Sequence, residues 1–247
     1  MAETVFSGAN DSHMNSGQQS SWANARGTVS STSPIFSTTA TNYQFGVYNV
    51  KGGGRGSIVY SVVRSYFDFD LSSLSGTATS VDFKVYSDNL GSTSTNGGTA
   101  YLVEATALAG NNTDRGNIFS SGTTLGSSFG SFTISTTLGY HSLTLNSDGL
   151  TAVNNAIGSG TLTVGLVGYY DYNNTTPNTT STSNYNKFHI YYSEDSSGAT
   201  STSQDPKLEI TLAAAGYGHE VISVSAGSIG KINSIATANV GKVNSVD

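Results

Sequence analysis

Cysteine is absent from this chain of 247 residues, and charged residues make up only 11% of it. Without thiols, the fold must hold together without disulfides or thiolate metal sites. The net charge of −6 has the wrong sign for a surface that engages phosphates, which argues against nucleic acid as a partner. No apolar run in the sequence approaches the roughly 20 residues that span a bilayer, so we expect no membrane span.

Gly, Ser, Thr and Asn dominate the sequence, which also holds 14 tyrosines and 10 phenylalanines. The aromatic and β-branched residues recur in short, regular clusters, which is not typical of a disordered chain. Such clusters, separated by Gly-rich turns, favour strands. The composition therefore predicts an all-β protein, and the length allows one large β domain or two small ones.

The clearest strand runs through Ile58–Leu71, and we predict that it is the central strand of the fold. Side chains alternate across a strand, which divides this stretch into two faces. The apolar face holds Val63, Phe67, Phe69 and Leu71, and the other face holds Arg64, Tyr66, Asp68 and Asp70. The pattern predicts a half-buried antiparallel strand. We interpret the two aspartates as members of a structural ion pair rather than as catalytic carboxylates.

Similar alternation predicts further strands along the chain. They are Thr4–Ser7, Tyr43–Val50, Thr79–Ser87, Ala100–Ala107, Phe129–Ser135, Tyr140–Leu145, Thr161–Tyr170, Lys187–Ser193 and Lys207–Leu212. Phe129–Ser135 and Tyr140–Leu145 are close enough to be interpreted as a hairpin. One helix is predicted over Asn146–Ile157, which has a polar cap and apolar residues at helical spacing. Together these elements predict a jelly-roll β-sandwich with one short helix.

Several stretches resemble the DNRLRE-type domains, which are related to carbohydrate-binding modules. The resemblance lies in Arg64–Leu74, Ala78–Tyr86, Ser193–Asp195 and Asp205–Ile210. Those domains carry an Arg-x-x-hydrophobic-x-Phe-Asp strand, a second alternating strand and a final Pro-x-Leu-x-hydrophobic strand. The likeness covers Glu3 to Leu212 and implies a β-sandwich fold. It implies less about function, because the family includes sugar-binding modules, surface proteins and phage proteins.

An internal repeat of eleven residues occupies the C-terminus. Val221–Lys231 aligns with Ile232–Lys242, and Val243–Asp247 begins a third copy. Its apolar stripe consists of Val221, Val224, Ile229, Ile232, Ile235, Val240, Val243 and Val246. The stripe is compatible with a helix of eleven-residue period, although the Gly, Ser and β-branched residues disfavour helix, and a strand-and-turn repeat is equally compatible. The repeat resembles those of structural proteins of phage particles.

The repeat divides the chain into a β-sandwich body, 1–214, and a tail, 215–247. The tail has too few residues to bury its own apolar stripe. We therefore predict that it docks on another copy of this chain or on a neighbouring structural subunit.

The sequence offers few residues for chemistry. Five aromatic residues are predicted to form a platform that binds a ligand by stacking against sugar rings: Trp22, Tyr169, Tyr170, Tyr172 and Tyr191. The four histidines are scattered, so no zinc site is expected. Oxygen ligands for a structural calcium ion are available at Asp11, Asp88, Asp114 and Asp171, without the spacing of an EF-hand. No serine lies in a nucleophile elbow, so we predict no catalytic residues and no enzyme activity.

These patterns favour a non-enzymatic structural protein of a larger assembly. The expected settings are the surface of a phage virion, as a decoration or fibre protein, or a self-assembling extracellular filament. The alternative is a carbohydrate-binding module that mediates adhesion to glycans. Met1–Val5 lacks the basic and apolar regions of a secretory signal peptide. Either a signal has been removed, or the protein leaves the cell by another route such as lysis.

Overall fold

The computed structural model describes residues 1–8, 11–27, 34–35, 43–51, 58–87, 98–105, 125–135, 137–177, 183–190, 204–213, 231–232 and 235–236. The strands of these ranges are β1 (Ala2–Phe6), β2 (Ser12–Asn15), β3 (Pro34–Ile35), β4 (Tyr43–Lys51), β5 (Ile58–Asp70), β6 (Ala78–Ser87), β7 (Thr99–Glu104), β8 (Ser128–Thr133), β9 (Gly139–Thr144), β10 (Thr161–Gly168), β11 (Ser183–Ile190), β12 (Lys207–Leu212), β13 (Lys231–Ile232) and β14 (Ile235–Ala236). The helices are α1 (Trp22–Gly27), α2 (Ser147–Ala156) and α3 (Tyr169–Tyr172).

The body is an all-β sandwich, as predicted. One antiparallel sheet has the order β1-β12-β6-β9. The other is built on β5, with β4 and β11 toward one side of the sandwich and β10, β7 and β8 toward the other. A single residue pair, Ile190 of β11 with Ser87 of β6, joins the two sheets at a corner. Each sheet buries one face against the other, which places the main core between them.

The long strand β5 organises the second sheet. Along one edge, its first half pairs with β4 and its second half with β10. Along the opposite edge lies the N-terminal segment, in which β2 pairs with Val63–Tyr66 and Gln19 bridges to Tyr60. The prediction of a central strand over Ile58–Leu71 is therefore confirmed. Because β4 and β10 share one edge and β2 and the Gln19 bridge lie along the other, β5 holds together elements that are distant in sequence.

The core between the sheets is rich in phenylalanine. Phe83 of β6 contacts Phe67 and Phe69 of β5, with ring centroids 5.7 and 6.2 Å apart. All three rings are fully buried. Complete burial of one such side chain contributes about 1.5–3 kcal/mol to folding. The alternating pattern of β5 and β6 therefore supplies the contacts that press the sheets together.

The second face of β5 is buried as well, and the prediction of a half-buried strand is wrong in this respect. Every residue from Ser61 to Phe69 is buried. The cover comes from α1 and α3, which lie on the outer face of the second sheet. Trp22 and Ala25 of α1 pack there with Val62 and Tyr66 of β5. This smaller apolar cluster is separate from the main core.

The predicted hairpin of Phe129–Ser135 with Tyr140–Leu145 is also wrong. The corresponding strands exist, but β8 pairs with β7 and β9 pairs with β6. The chain between them crosses from one sheet to the other, and its Ile134 is buried, with its N–H bonded to the carbonyl of Gly98 at 2.7 Å. The alternation of apolar and polar side chains identifies a strand but does not indicate which strand it pairs with, which explains the error.

The predicted helix over Asn146–Ile157 is confirmed as α2. Asn146 caps it, because its side-chain oxygen accepts the backbone N–H groups of Asp148 and Gly149. Two shorter helices, α1 and α3, were not predicted. They have six and four residues, which is too short to show a helical period.

Candidate functional site

A buried ion cluster lies on the outer face of the second sheet. Its centre is Asp171 of α3, whose side chain is 1% exposed. Asp171 Oδ2 accepts from Arg64 Nε at 2.6 Å, and its Oδ1 accepts from Arg64 Nη2 at 2.9 Å. Arg26 Nε donates to the same Oδ1 at 3.1 Å. Two guanidinium groups from α1 and β5 therefore share one carboxylate, which ties three elements together.

Groups around the cluster determine the protonation states of its members. Arg64 Nη2 also donates to the backbone oxygen of Arg26 at 3.2 Å. Burial alone would lower the pKa of Arg64, but the Asp171 carboxylate and the hydrogen bonds outweigh burial and hold that pKa above its usual range. Burial raises the pKa of Tyr66 to about 12, against the opposing effect of the neighbouring Arg64. At neutral pH the cluster thus contains charged arginines beside an uncharged phenol.

The cluster fixes α3, and α3 presents tyrosine side chains at the surface. The ring of Tyr172 stacks on that of Tyr101 from β7, with centroids 4.0 Å apart and planes 10° apart. Tyr169 and Tyr170 meet edge to face, with centroids 5.5 Å apart. The amide of Asn173 donates to the Tyr101 hydroxyl at 3.3 Å. These four partly exposed tyrosines, Tyr101, Tyr169, Tyr170 and Tyr172, are called the tyrosine patch below.

The tyrosine patch contains three of the five aromatics singled out from the sequence. Trp22 lies beneath it rather than in it, because its side chain is 8% exposed and packs edge to face on Tyr60 at 6.0 Å. A buried ring of this kind offers no open face to a sugar. Tyr191 lies outside the described residues. Tyr101 was missed, because only the pairing of β7 with β10 brings it next to α3.

The two aspartates of β5 have separate structural roles. Asp68 is buried and accepts from the Thr163 hydroxyl of β10 at 2.6 Å. Asp70 is exposed and accepts the backbone N–H of Ser72. The ion pair expected for Arg64 exists, but its partner is the distant Asp171 rather than these neighbours on the strand.

The aspartates considered for calcium are not gathered together. Asp171 is occupied by the two arginines, and Asp11 Oδ1 accepts the backbone N–H of Asp68 at 3.3 Å. Asp88 and Asp114 lie outside the described residues. In the part of the chain that the structure describes, no group of three potential metal ligands occurs. Within the same ranges, no helix has the length and apolarity needed to cross a membrane.

A polar groove runs beside α2. It consists of adjacent cavities of about 310 and 220 Å³ that share Glu104, Ala152 and Asn155. Two hydroxyl groups along it are engaged, because the Thr163 hydroxyl donates to Asp68 and the Thr151 hydroxyl donates to the Ser147 carbonyl. Among the described residues that line the groove, no hydroxyl group donates to the Glu104 carboxylate.

The described part of the tail forms a separate two-stranded sheet. β13 and β14 are antiparallel, with Lys231 opposite Ala236 and Ile232 opposite Ile235. At these described positions the tail is strand rather than helix. The other apolar residues predicted for assembly lie outside the described residues: Val221, Val224, Ile229, Val240, Val243 and Val246.

No family model matches this chain, and no curated protein matches it. The resemblance to DNRLRE-type domains stays a prediction. Function has to be argued from the tyrosine patch, the buried ion cluster and the strand pair of the tail.

Proposed function

We propose that this protein is a non-enzymatic structural component of a larger assembly and that its C-terminal tail anchors it there. The observation that carries the proposal is the pairing of β13 with β14 in a sheet that is separate from those of the body. Strands of two residues are shorter than a stable sheet requires, and an isolated hairpin is marginal in water. Contact with a neighbouring subunit supplies the missing strands.

The repeat extends this argument along the tail. The paired segment Ile232–Ile235 recurs in sequence as Val243–Val246, and Val221–Val224 holds the same positions in the preceding copy. Each copy places two β-branched residues three positions apart, as in the observed strand pair. Three equivalent units give the neighbour a regular surface to bind. Repeated units of this size gain stability by stacking, because each buries too little surface alone.

The settings we propose are the surface of a phage virion, as a decoration or fibre protein, and an extracellular filament. The resemblance of the tail repeat to those of phage structural proteins supports the first. Both settings use the same principle, in which a β-sandwich body faces outward and the tail is completed by a neighbour.

The test compares the full chain with a truncation that lacks Gly218–Asp247. We expect the truncated body to stay folded and to lose assembly, as measured by light scattering and electron microscopy. The matched control carries a tail of the same composition in scrambled order, which should behave like the truncation. A truncated protein that still assembles, or joins its particle normally, would contradict the proposal.

A second candidate function is carbohydrate binding, and the tyrosine patch favours it. Partly exposed aromatic rings on and beside a helix that a buried ion cluster ties to the sheet are suited to stacking against sugar rings. We expect Tyr172→Ala to abolish binding on a glycan array without unfolding the protein. Tyr86→Ala is the control, because Tyr86 is also partly exposed and packs on another tyrosine, Tyr140, in the other sheet. Equal binding by both variants would exclude the tyrosine patch as the site.

A further inference from the structure

One margin of the first sheet, β1-β12-β6-β9, is an open edge. Among the described strands, β1 pairs with β12 alone. Met1 and Leu212 exchange two backbone hydrogen bonds, at 3.0 and 2.7 Å, which fixes the alternation of this ladder. Every second residue after Met1 therefore bonds to β12, and the residues between them direct their N–H and C=O groups away from it. These outward residues are Ala2, Thr4 and Phe6.

The open edge of β1 lacks the protection that edge strands usually have against pairing with other chains. At the margin of the second sheet, β8 is protected, because its ladder with β7 shifts register. In addition, Asn146 donates from its backbone and its side chain to the carbonyls of Phe129 and Ser128. β1 contains no proline and no lysine, and its register with β12 is unbroken. Its edge is therefore suited to accept a further strand.

A further strand on β1 would also extend the cover of the main core. Val5 of β1 packs against that core but is only partly buried. The opposite margin differs, although β9 pairs with β6 alone among the described strands. Its inward Leu143 is already buried, at 8% exposure. Of the two margins of this sheet, β1 thus gains more from apolar side chains on an added strand.

The tail contains a segment with the pattern that such a strand requires. In Val221–Ala226, which lies outside the described residues, Ile222, Val224 and Ala226 alternate with two serines. In a strand, this alternation places apolar side chains on one face and hydroxyl groups on the other. Paired with β1, the apolar face would adjoin Val5, and the serines would adjoin Thr4 on the outer face.

We propose that the neighbour bound by the tail is a second copy of this chain and that the open edge of β1 accepts a strand from that copy's tail. The inference rests on the proposed function in assembly and names the partner and its surface. The main chemical contribution is a set of backbone hydrogen bonds, as in other cases of strand addition.

The position of the tail favours a second copy over the same chain. Leu212 ends β12 beside Met1, so the tail leaves the body at the start of β1. To pair antiparallel with its own β1, the tail would first have to pass along the whole strand, about 17 Å for five residues, and then turn back. Parallel pairing avoids this detour but is less stable per residue. The tail of a second copy reaches the edge in the antiparallel direction without it.

A single proline tests the edge in the full chain. Thr4→Pro removes an N–H group that points away from β12, and edge strands tolerate proline at such positions. We expect a folded protein whose assembly, followed by light scattering, requires about a tenfold higher concentration or more, because an interface hydrogen bond is lost. Ser142→Pro is the matched control, since Ser142 has the equivalent outward position on β9. Its assembly should equal that of the unmodified chain.

Engineered thiols identify the copy that donates the strand, because the chain has no cysteine of its own. Copies with only Thr4→Cys are mixed with copies with only Ser223→Cys, and the assembled mixture is oxidised. We expect a disulfide between the two kinds of copy, identified by mass spectrometry of the linked peptides. Ser142→Cys in place of Thr4→Cys should give little of the corresponding product. A double variant, Thr4→Cys with Ser223→Cys, reports linkage within one chain.

The outcomes separate this inference from the proposed function. If removal of Gly218–Asp247 abolishes assembly but Thr4→Pro assembles like the unmodified chain, the tail anchors the protein and the role of β1 is overturned. Linkage of Thr4→Cys only within one chain would overturn the second copy as donor, and equal linkage to β9 would overturn the choice of edge. Normal assembly of the truncated chain would overturn both proposals. If Thr4→Pro fails to fold, the disulfides decide the question.

Discussion

Asp171 Oδ2 lies 2.6 Å from Arg64 Nε, although 107 residues separate the two in sequence. The contact joins the short helix α3 to the middle of the central strand β5. It buries both side chains almost completely, at 1% and 0% exposure. The outer face of the second sheet is therefore organised around a charge pair, whereas the inner face is organised around phenylalanine rings.

Removing the Asp171 charge should destabilise the fold strongly. Asp171→Asn keeps the shape of the side chain but removes the negative charge that two buried guanidinium groups share. Breaking a buried pair in this way costs about 3–5 kcal/mol. Urea unfolding measures the loss. Asp148→Asn is the control, because Asp148 is exposed in the first turn of α2. This substitution should lower the free energy of unfolding by less than about 1 kcal/mol. Similar losses for both variants would contradict the structural role of Asp171.

Tyr66 should make the fold sensitive to strongly alkaline pH. Its pKa is raised to about 12 in the folded chain, above the usual value of about 10 for an unfolded one. The neutral phenol thus favours the folded state below pH 10, and this stability is lost as the pH rises toward 12. The loss approaches about 3 kcal/mol, because the group is fully buried.

The alkaline effect is tested by comparing two curves of unfolding free energy against pH. The curve for Tyr66→Phe should be flatter between pH 10 and 12 than the curve for the unmodified chain. Tyr86→Phe, which changes a partly exposed tyrosine, should follow the unmodified chain. Parallel curves for the unmodified chain and Tyr66→Phe would show that Tyr66 is not responsible.

Asn146 should contribute measurably to stability through the cap of α2. Its Oδ1 accepts two backbone N–H groups, and its Nδ2 donates to the Ser128 carbonyl of β8 at 2.8 Å. Asn146→Ala should cost about 1–2 kcal/mol in thermal or chemical unfolding. Asn146→Asp retains the accepting oxygen and should recover most of the loss. Without such recovery, the cap would not be the source of the effect.

Gly149 should resist replacement although it lies in a helix. Alanine normally stabilises a helix by about 1 kcal/mol relative to glycine. Here an added Cβ would lie 2.9 Å from Phe129 Cβ and 3.0 Å from Leu145 Cβ, which is too close. Gly149→Ala should therefore destabilise the chain by about 1–3 kcal/mol. At Gly160 the same methyl group meets nothing within 4 Å, so Gly160→Ala is the matched control in thermal unfolding.

The strands were predictable because their side chains alternate over six or more residues. Thr79–Ser87, for example, was predicted as a strand, and its alternating Val81, Phe83 and Val85 form the buried face of β6. Partners were not predictable, because alternation carries no information on which strand lies alongside. The supposed hairpin of β8 and β9 failed for this reason. The order of the strands within each sheet depends on contacts between residues that are distant in sequence, and a single sequence carries no signal for those contacts.

The candidate site was predictable in part. Tyr169 and Tyr170 were interpreted as the end of a strand, and Asp171 was considered only as an oxygen ligand for calcium. A helix of four residues has no periodic signal, so α3 was missed. The buried role of Asp171 was missed with it, because nothing in a stretch rich in Asn and Thr distinguishes a buried carboxylate from an exposed one. Arg64 was recognised as part of an ion pair, but only the fold identifies its partner.

The position of β12 has a mechanical consequence for a protein held by its tail. β12 lies between β1 and β6 and is antiparallel to both, and the chain continues from its last residue, Leu212, toward the tail. Tension transmitted through the tail enters β12 along its axis, perpendicular to the hydrogen bonds on both sides. Those bonds share the load together instead of opening one at a time. The first bond to bear the pull is that of the Ala213 N–H to the Thr77 carbonyl, at 2.7 Å, followed by the two bonds between Leu212 and Met1, at 2.7 and 3.0 Å.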